Sequence, residues 1–139
     1  MQFVYIVGGG GMIRETYLAK LKGAKIPSSS CIVVCRGRGN DELAPSEELL
    51  KNFLLLKKGH EEVLGKGSAE AHNKAFEECQ YKKKFIDEIQ NNPKAVSRLE
   101  EIRRRAIRED VWLVCYEGDQ KMCHRHILLD LIKEKNGQQ

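Results

Sequence analysis

The segment "VWLVCYEGDQKMCHRH" at residues 111–126 gathers groups that can do chemistry: Cys115, Glu117, Cys123, His124, Arg125 and His126 in one strand-loop-helix unit. A cysteine in the first turn of a helix faces unpaired amides and the positive end of the dipole. Both stabilise a thiolate, and His124 and Arg125 add to the field. Cys123 is therefore one candidate nucleophile, and Cys115, at the end of an apolar run, is the other. His124 and Glu117 are the candidate proton carriers. Arg125 can offer its planar fork to a phosphate or carboxylate, with helix amides as further donors.

Each of these residues also has a structural reading. Cys115 ends a buried run and can serve as a small hydrophobe. Cys123 can cap or pack the helix. Glu117 can hold Arg36 or Arg125 in place, and Arg125 can pair with Glu117 or Asp119. His126 lies two residues beyond His124 and points to another side of the helix, which fits surface or packing.

Two known spacings test the cluster. A cysteine-phosphatase loop separates cysteine and arginine by five residues, whereas Cys115 and Arg125 are ten positions apart, so that loop has the wrong length. Cys115, Cys123 and a histidine are ligand types that suit tetrahedral zinc, but no C-x-x-C pair is present. No cofactor or metal residue is assigned on this pattern, with zinc left open.

The elements that would position the cluster follow from periodicity. "CIVVC" (31–35) and "VWLVCY" (111–116) are continuous apolar runs, as expected of strands buried on both faces of a parallel sheet. "QFVYIV" (2–7) reads as a short strand before Gly8–Gly11. "IRETYLAKLK" (13–22) fits either a strand or a helix. A helix starts at Ser46, with Glu47 and Glu48 in its first turn and Gly59 as a stop. "HEEVLGKGS" reads as a loop or a short helical turn.

The stretch "AEAHNKAFEECQYKKKFIDEIQ" predicts one long helix with Ala75, Phe76, Cys79, Phe85, Ile86 and Ile89 inward. Asn92 and Pro93 open a helix carrying Val96, Leu99, Ile102 and Ala106 on one stripe. The last helix turns Ile127, Leu128, Leu131 and Ile132 inward. This order predicts an α/β fold: a single compact domain with a small, mostly parallel sheet flanked by helices.

In such sheets ligands collect beyond the carboxyl ends of the strands. The two buried runs end in Cys35, Arg36 and Arg38 and in Cys115 and Glu117. If the strands are neighbours, these residues meet Cys123, His124 and Arg125 in one cluster, with Arg36, Arg38 and Arg125 as the ligand-binding set.

Composition narrows the class. The chain has 139 residues, 41% hydrophobic and 32% charged, which fits one domain with its own core. A net charge of +4 allows an anionic ligand but falls short of the footprint of a dedicated nucleic-acid binder. No apolar run reaches the length of a membrane span, and residues 1–11 lack the basic region of a secretory signal. A cytoplasmic location without membrane attachment is expected. Five cysteines in irregular spacing read as free thiols. The glycine run lacks the Lys-Ser/Thr ending of a phosphate loop, so 1–11 reads as a leader or flexible segment, with translation starting at Met1 or Met12. The domain is expected over 12–135 and a tail over 136–139.

"ELAPSEELLKNF" (42–53) and "VWLVCYEGDQKMCHRHILLDLI" (111–132) resemble two signatures of the family of unknown function numbered 488, DUF488, whose members are mainly bacterial and archaeal. The second is the more specific, a strand ending Leu-x-Cys-x-Glu followed by a Cys-His-Arg (CHR) turn at a helix start. The resemblance runs from about Met12 to about Lys135. It implies a compact α/β fold with "IRETYLA" as its first strand, and it places Arg36 or Arg38 where members carry an arginine after the strand preceding Ala-Pro-Ser. The Asp-Arg-x-Trp-Pro-Arg-Gly version is absent, Cys35 standing where the aspartate would be, so roles tied to that aspartate do not carry over. The family brings no settled reaction.

Two functions are compatible with these residues. One is an enzyme acting on a phosphate-bearing or nucleotide-like anionic small molecule at the Cys/His/Arg/Glu site. The other is a non-catalytic protein binding nucleic acid or another anion, in which the Cys-His-Arg turn is structural. "YKKK" (81–84) and "RRR" (103–105) step about 100° per residue around a helix, so neither makes a flat basic stripe, although together they could attract a nucleic-acid backbone. The oligomeric state is open, a homodimer included.

Overall fold

The computed structural model describes residues 4–6 and 12–137. Four strands form one sheet: β1 (Val4–Ile6), β2 (Met12–Tyr17), β3 (Cys31–Val33) and β4 (Val111–Cys115). Their order is β1-β2-β4-β3. β4 runs parallel to both neighbours, pairing Tyr17 with Cys115 on one side and Val33 with Val114 on the other, while β1 is an antiparallel edge. The mostly parallel α/β architecture expected from the apolar runs is the one observed. Gly8–Gly11, read as a flexible segment, lies outside the described residues.

β4 is central because it can be buried on both faces. Val111, Leu113, Val114 and Cys115 are all buried, and only Trp112 is half-buried. Ile13, Glu15, Val111, Leu113 and Cys115 alternate along β2 and β4 and so share one face. That face carries most of the sheet's contribution to the core, where it meets Phe85, Leu99, Ile102, Leu128 and Ile132.

Residues 13–22 resolve as strand and then helix. β2 ends at Tyr17, and a single turn, α1 (Leu18–Leu21), follows. In α2 (Glu47–Leu64), Ser46 caps the first turn by accepting a hydrogen bond from the Leu49 amide, as expected. Gly59 does not stop this helix. It is absorbed at the modest cost of an interior glycine, and the chain leaves α2 at Gly65, whose φ of 102° is the left-handed geometry that ends helices.

The long helix expected over 69–90 is two helices, α3 (Ala69–Glu78) and α4 (Tyr81–Gln90), broken at Gln80 with φ 56°. The break turns Tyr81 back onto Phe76, ring centroids 4.2 Å apart and nearly parallel. Aromatic packing thus overrides the helical continuity that spacing alone predicts. α5 (Pro93–Ala106) has the expected Asn92 cap and first-turn proline. Val96 is exposed rather than inward, and Ala95 takes the core position. α6 (His124–Gly137) closes the domain, packing on β2 and β4.

Candidate active site

Parallel pairing brings the carboxyl ends of β2, β3 and β4 to one edge of the sheet, where α6 begins. Cys35, Arg36, Cys115, Glu117, Cys123 and His124 line one half-open cavity of about 170 Å³ there. The strands' neighbouring ends bring these residues together. Arg38 lies outside the lining, and Arg125 lies behind it.

The interior face of this site is an ion-pair network. Arg125 is 1% exposed. Its Nε donates to Glu15 Oε1 at 2.8 Å, and its Nη1 donates to the Glu117 carbonyl at 2.6 Å and to Cys115 Sγ at 3.1 Å. Asp119 adds a longer contact at 3.9 Å. The fork expected to reach an external anion is spent inside the protein, on a carboxylate, a carbonyl and a sulfur. Glu15, also 1% exposed, accepts from His126 Nδ1 at 2.5 Å as well. Burial alone would raise the Glu15 carboxyl, but hydrogen bonds from His126 and Arg125 outweigh it and hold the group below its usual range. The short range of these contacts is what lets the sheet bury a carboxylate.

Three thiols meet at the cavity floor. The neighbouring thiols of Cys123 and Cys35, with the Arg125 guanidinium, hold the Cys115 thiol well below its ordinary range despite burial. Cys123 moves the other way: burial and the neighbouring Cys115 push its thiol up. The neighbouring Cys115 and burial raise Cys35 as well. Of the three sulfurs, only Cys115 is touched by the guanidinium. Cys123, offered together with Cys115 as a candidate nucleophile, is shifted toward the neutral thiol. It immediately precedes α6 but is 4% exposed, and burial is the largest cause of that shift.

The histidines divide by their second nitrogen. His124 Nε2 donates to the Val34 carbonyl at 2.7 Å, and Nδ1 lies 3.7 Å from Cys123 Sγ. Burial lowers its pKa, so it is a neutral brace between β3 and α6. His72, on α3, also lines the cavity. Its Nε2 lies 2.7 Å from the Met122 carbonyl and its Nδ1 3.9 Å from Glu117 Oε2. Burial likewise holds His72 below the usual imidazole range.

The rim is cationic and partly committed. Arg36 donates twice to the Pro45 carbonyl, at 3.1 and 2.9 Å, and lies 3.6 Å from Asp41. Arg38 is exposed and donates to the Tyr116 hydroxyl at 3.3 Å. It stands on a loop where Gly37 and Gly39 have φ of 86° and 89°, a conformation that other residues rarely adopt. Among the described residues no group of three His, Cys, Asp or Glu side chains is arranged to hold a metal ion.

A family model described as the active DUF488-N3 subclade matches residues 40–136, more than two thirds of the chain. The chain belongs to the DUF488 family. No curated protein and no solved structure matches it. The DUF488 match spans Cys115, Glu117, Cys123, His124 and Arg125, whereas Glu15, Cys35, Arg36 and Arg38 precede it.

Sequence reasoning missed two groups in this DUF488 site. Glu15 alternates with Ile13 on the buried face of β2, where a charge needs a buried partner, and that was a readable signal. His72 lies one helical turn before Ala75 and Phe76 on the apolar stripe of α3.

Proposed function

We propose that this DUF488 protein is an enzyme whose Cys115 thiolate attacks an electrophilic centre on a small anionic molecule, with Arg38 and part of Arg36 drawing the anion to the rim. The observation that carries this reading is the 3.1 Å contact from Arg125 to Cys115 Sγ. A thiol in an apolar site is ordinarily neutral and inert. Here a buried guanidinium, fixed by Glu15, is aimed at the sulfur, and the sulfur lines a cavity. A structural cysteine has no use for that arrangement. Arg38 favours an anionic ligand because its only hydrogen bond among the described residues is to a neutral hydroxyl, which leaves the charge uncompensated.

The alternative is a binding protein for nucleic acid or another anion, in which the cluster only braces the loop. It draws on the exposed Arg38 and Tyr116 pair, a cation beside an aromatic ring at the cavity mouth.

Site-resolved alkylation across pH, read by mass spectrometry, separates the two readings. The enzyme predicts that Cys115 reacts at a nearly constant rate from mildly acidic to neutral pH, while Cys35 and Cys123 remain unmodified. Phosphate or sulfate should slow the reaction at Cys115. If the Cys115 rate rises only near the free-thiol value of about 8.5, the thiolate reading fails.

A further inference from the structure

We propose that His72 and Glu117 together hold a water molecule and deprotonate it to release an acyl group carried by Cys115. This inference rests on Cys115 acting as the nucleophile, and it adds the residues for the second half of the reaction. His72 is 2% exposed, and its Nε2 is 2.7 Å from the Met122 carbonyl. A carbonyl only accepts, so Nε2 carries the ring proton and Nδ1 presents a lone pair. Among the described residues that buried Nδ1 has no hydrogen-bond partner.

What faces it is another acceptor, Glu117 Oε2, at 3.9 Å. Lys121 Nζ approaches the same oxygen only to 4.0 Å, beyond hydrogen-bond reach, so the two acceptors still call for a shared donor. A water about 2.8 Å from each would see them roughly 90° apart, close to its own bond angle, and would donate one hydrogen to each. His72 and Glu117 line the same cavity as Cys115. The base is rigid: Phe53 meets the His72 ring edge-on at 4.9 Å, and Phe76 lies nearly parallel to it. His124 is not an alternative base, because its Nε2 is bonded to Val34 and its Nδ1 faces the Cys123 thiol.

The steps balance. The Cys115 sulfur bonds to the acyl carbon, and the substrate's alkoxide or thiolate leaves with the electron pair of the broken bond and takes a proton from solvent. The water oxygen then bonds to the same carbon and gives one proton to His72 Nδ1. The carbon–sulfur bond breaks with its electron pair returning to Cys115, which departs as the thiolate and requires no proton. The acid released ionises, and His72 passes its proton to solvent. An acyl group fits better than a phosphoryl group, since Arg125 is turned inward and Phe53 and Phe76 line the cavity.

The test is rapid-mixing kinetics with p-nitrophenyl acetate on the full chain. The wild type is expected to release about one equivalent of nitrophenolate in a burst and then to turn over, and Cys115→Ser to show neither phase. His72→Asn and Glu117→Gln are expected to keep the burst amplitude and to lose about a hundredfold in turnover. Glu117 is partly exposed, so its variant decides the matter if His72→Asn does not fold. Unchanged turnover in the folded variants overturns this inference and leaves the thiolate standing. Absence of a burst in the wild type overturns both.

Discussion

At the scale of single residues, the site depends on one guanidinium doing two jobs. Arg125 pairs with Glu15 in the core and donates to the Cys115 sulfur at the cavity floor. A lysine keeps the charge but loses the planar fork, so it cannot serve both partners at once. Arg125→Lys is therefore expected to raise the pH midpoint of thiolate formation at Cys115 by about one unit or more, followed by the ultraviolet absorbance of the thiolate. Arg38→Ala, which removes an exposed cation bonded to Tyr116, should leave that midpoint unchanged. Equal shifts in the two variants would mean that bulk charge rather than contact sets the thiolate.

At the scale of elements, the turn between α3 and α4 shows how local preference gives way to packing. Gln80 holds φ 56° so that Tyr81 can stack on Phe76 and close the wall of the cavity. A side chain in that region costs about 1 kcal/mol, which glycine does not pay. Gln80→Gly is expected to raise stability by up to about 1 kcal/mol in denaturant unfolding, part of the gain being returned through the greater freedom of the unfolded chain. A clear loss would show that the Gln80 side chain, not its backbone, secures the turn. Spacing made the helical character of 69–90 legible, because Ala75, Phe76, Phe85 and Ile89 are buried at helical intervals. The break was not legible, since no glycine or proline marks it and its cause is an aromatic contact across the turn. Gly59 is the converse case: a residue that ordinarily signals a stop lies inside α2, whose length is set by tertiary packing.

At the scale of the whole molecule, buried titratable groups set how the domain responds to acid. His72 and His124 have their pKa values lowered from 6.5, so the unfolded chain binds protons there before the folded one does. The stability these two histidines contribute is fully present above 6.5 and declines as pH falls through it, on top of any gradual decline from the lowered Cys115 thiol. Glu15, lowered from 4.5, adds a second decline below that value as its pairs with Arg125 and His126 are lost. Thermal melts are expected to fall in two stages on acidification, and Glu15→Gln should remove the lower one. A flat melting temperature between neutral pH and about pH 5 would contradict the neutral buried imidazoles.

The α/β class was legible from "CIVVC" and "VWLVCY" with the helices between and after them, whereas the meeting of the two strand ends was only a condition that the sequence left open. Which sulfur the guanidinium contacts was not legible. It depends on Glu15 and Arg125, 110 positions apart in sequence and joined only by the fold.

β4 is bonded along both edges, and its residues are buried except for Trp112. Its amides should therefore be among the last to exchange for deuterium, opening only when the domain as a whole does. The loop carrying Gly37, Arg38 and Gly39 is exposed and can exchange early, by local opening. Cys115 is thus anchored to the slowest-exchanging strand of the protein, while the cation at its entrance belongs to a segment that can be lengthened, shortened or rewritten without loosening that anchor.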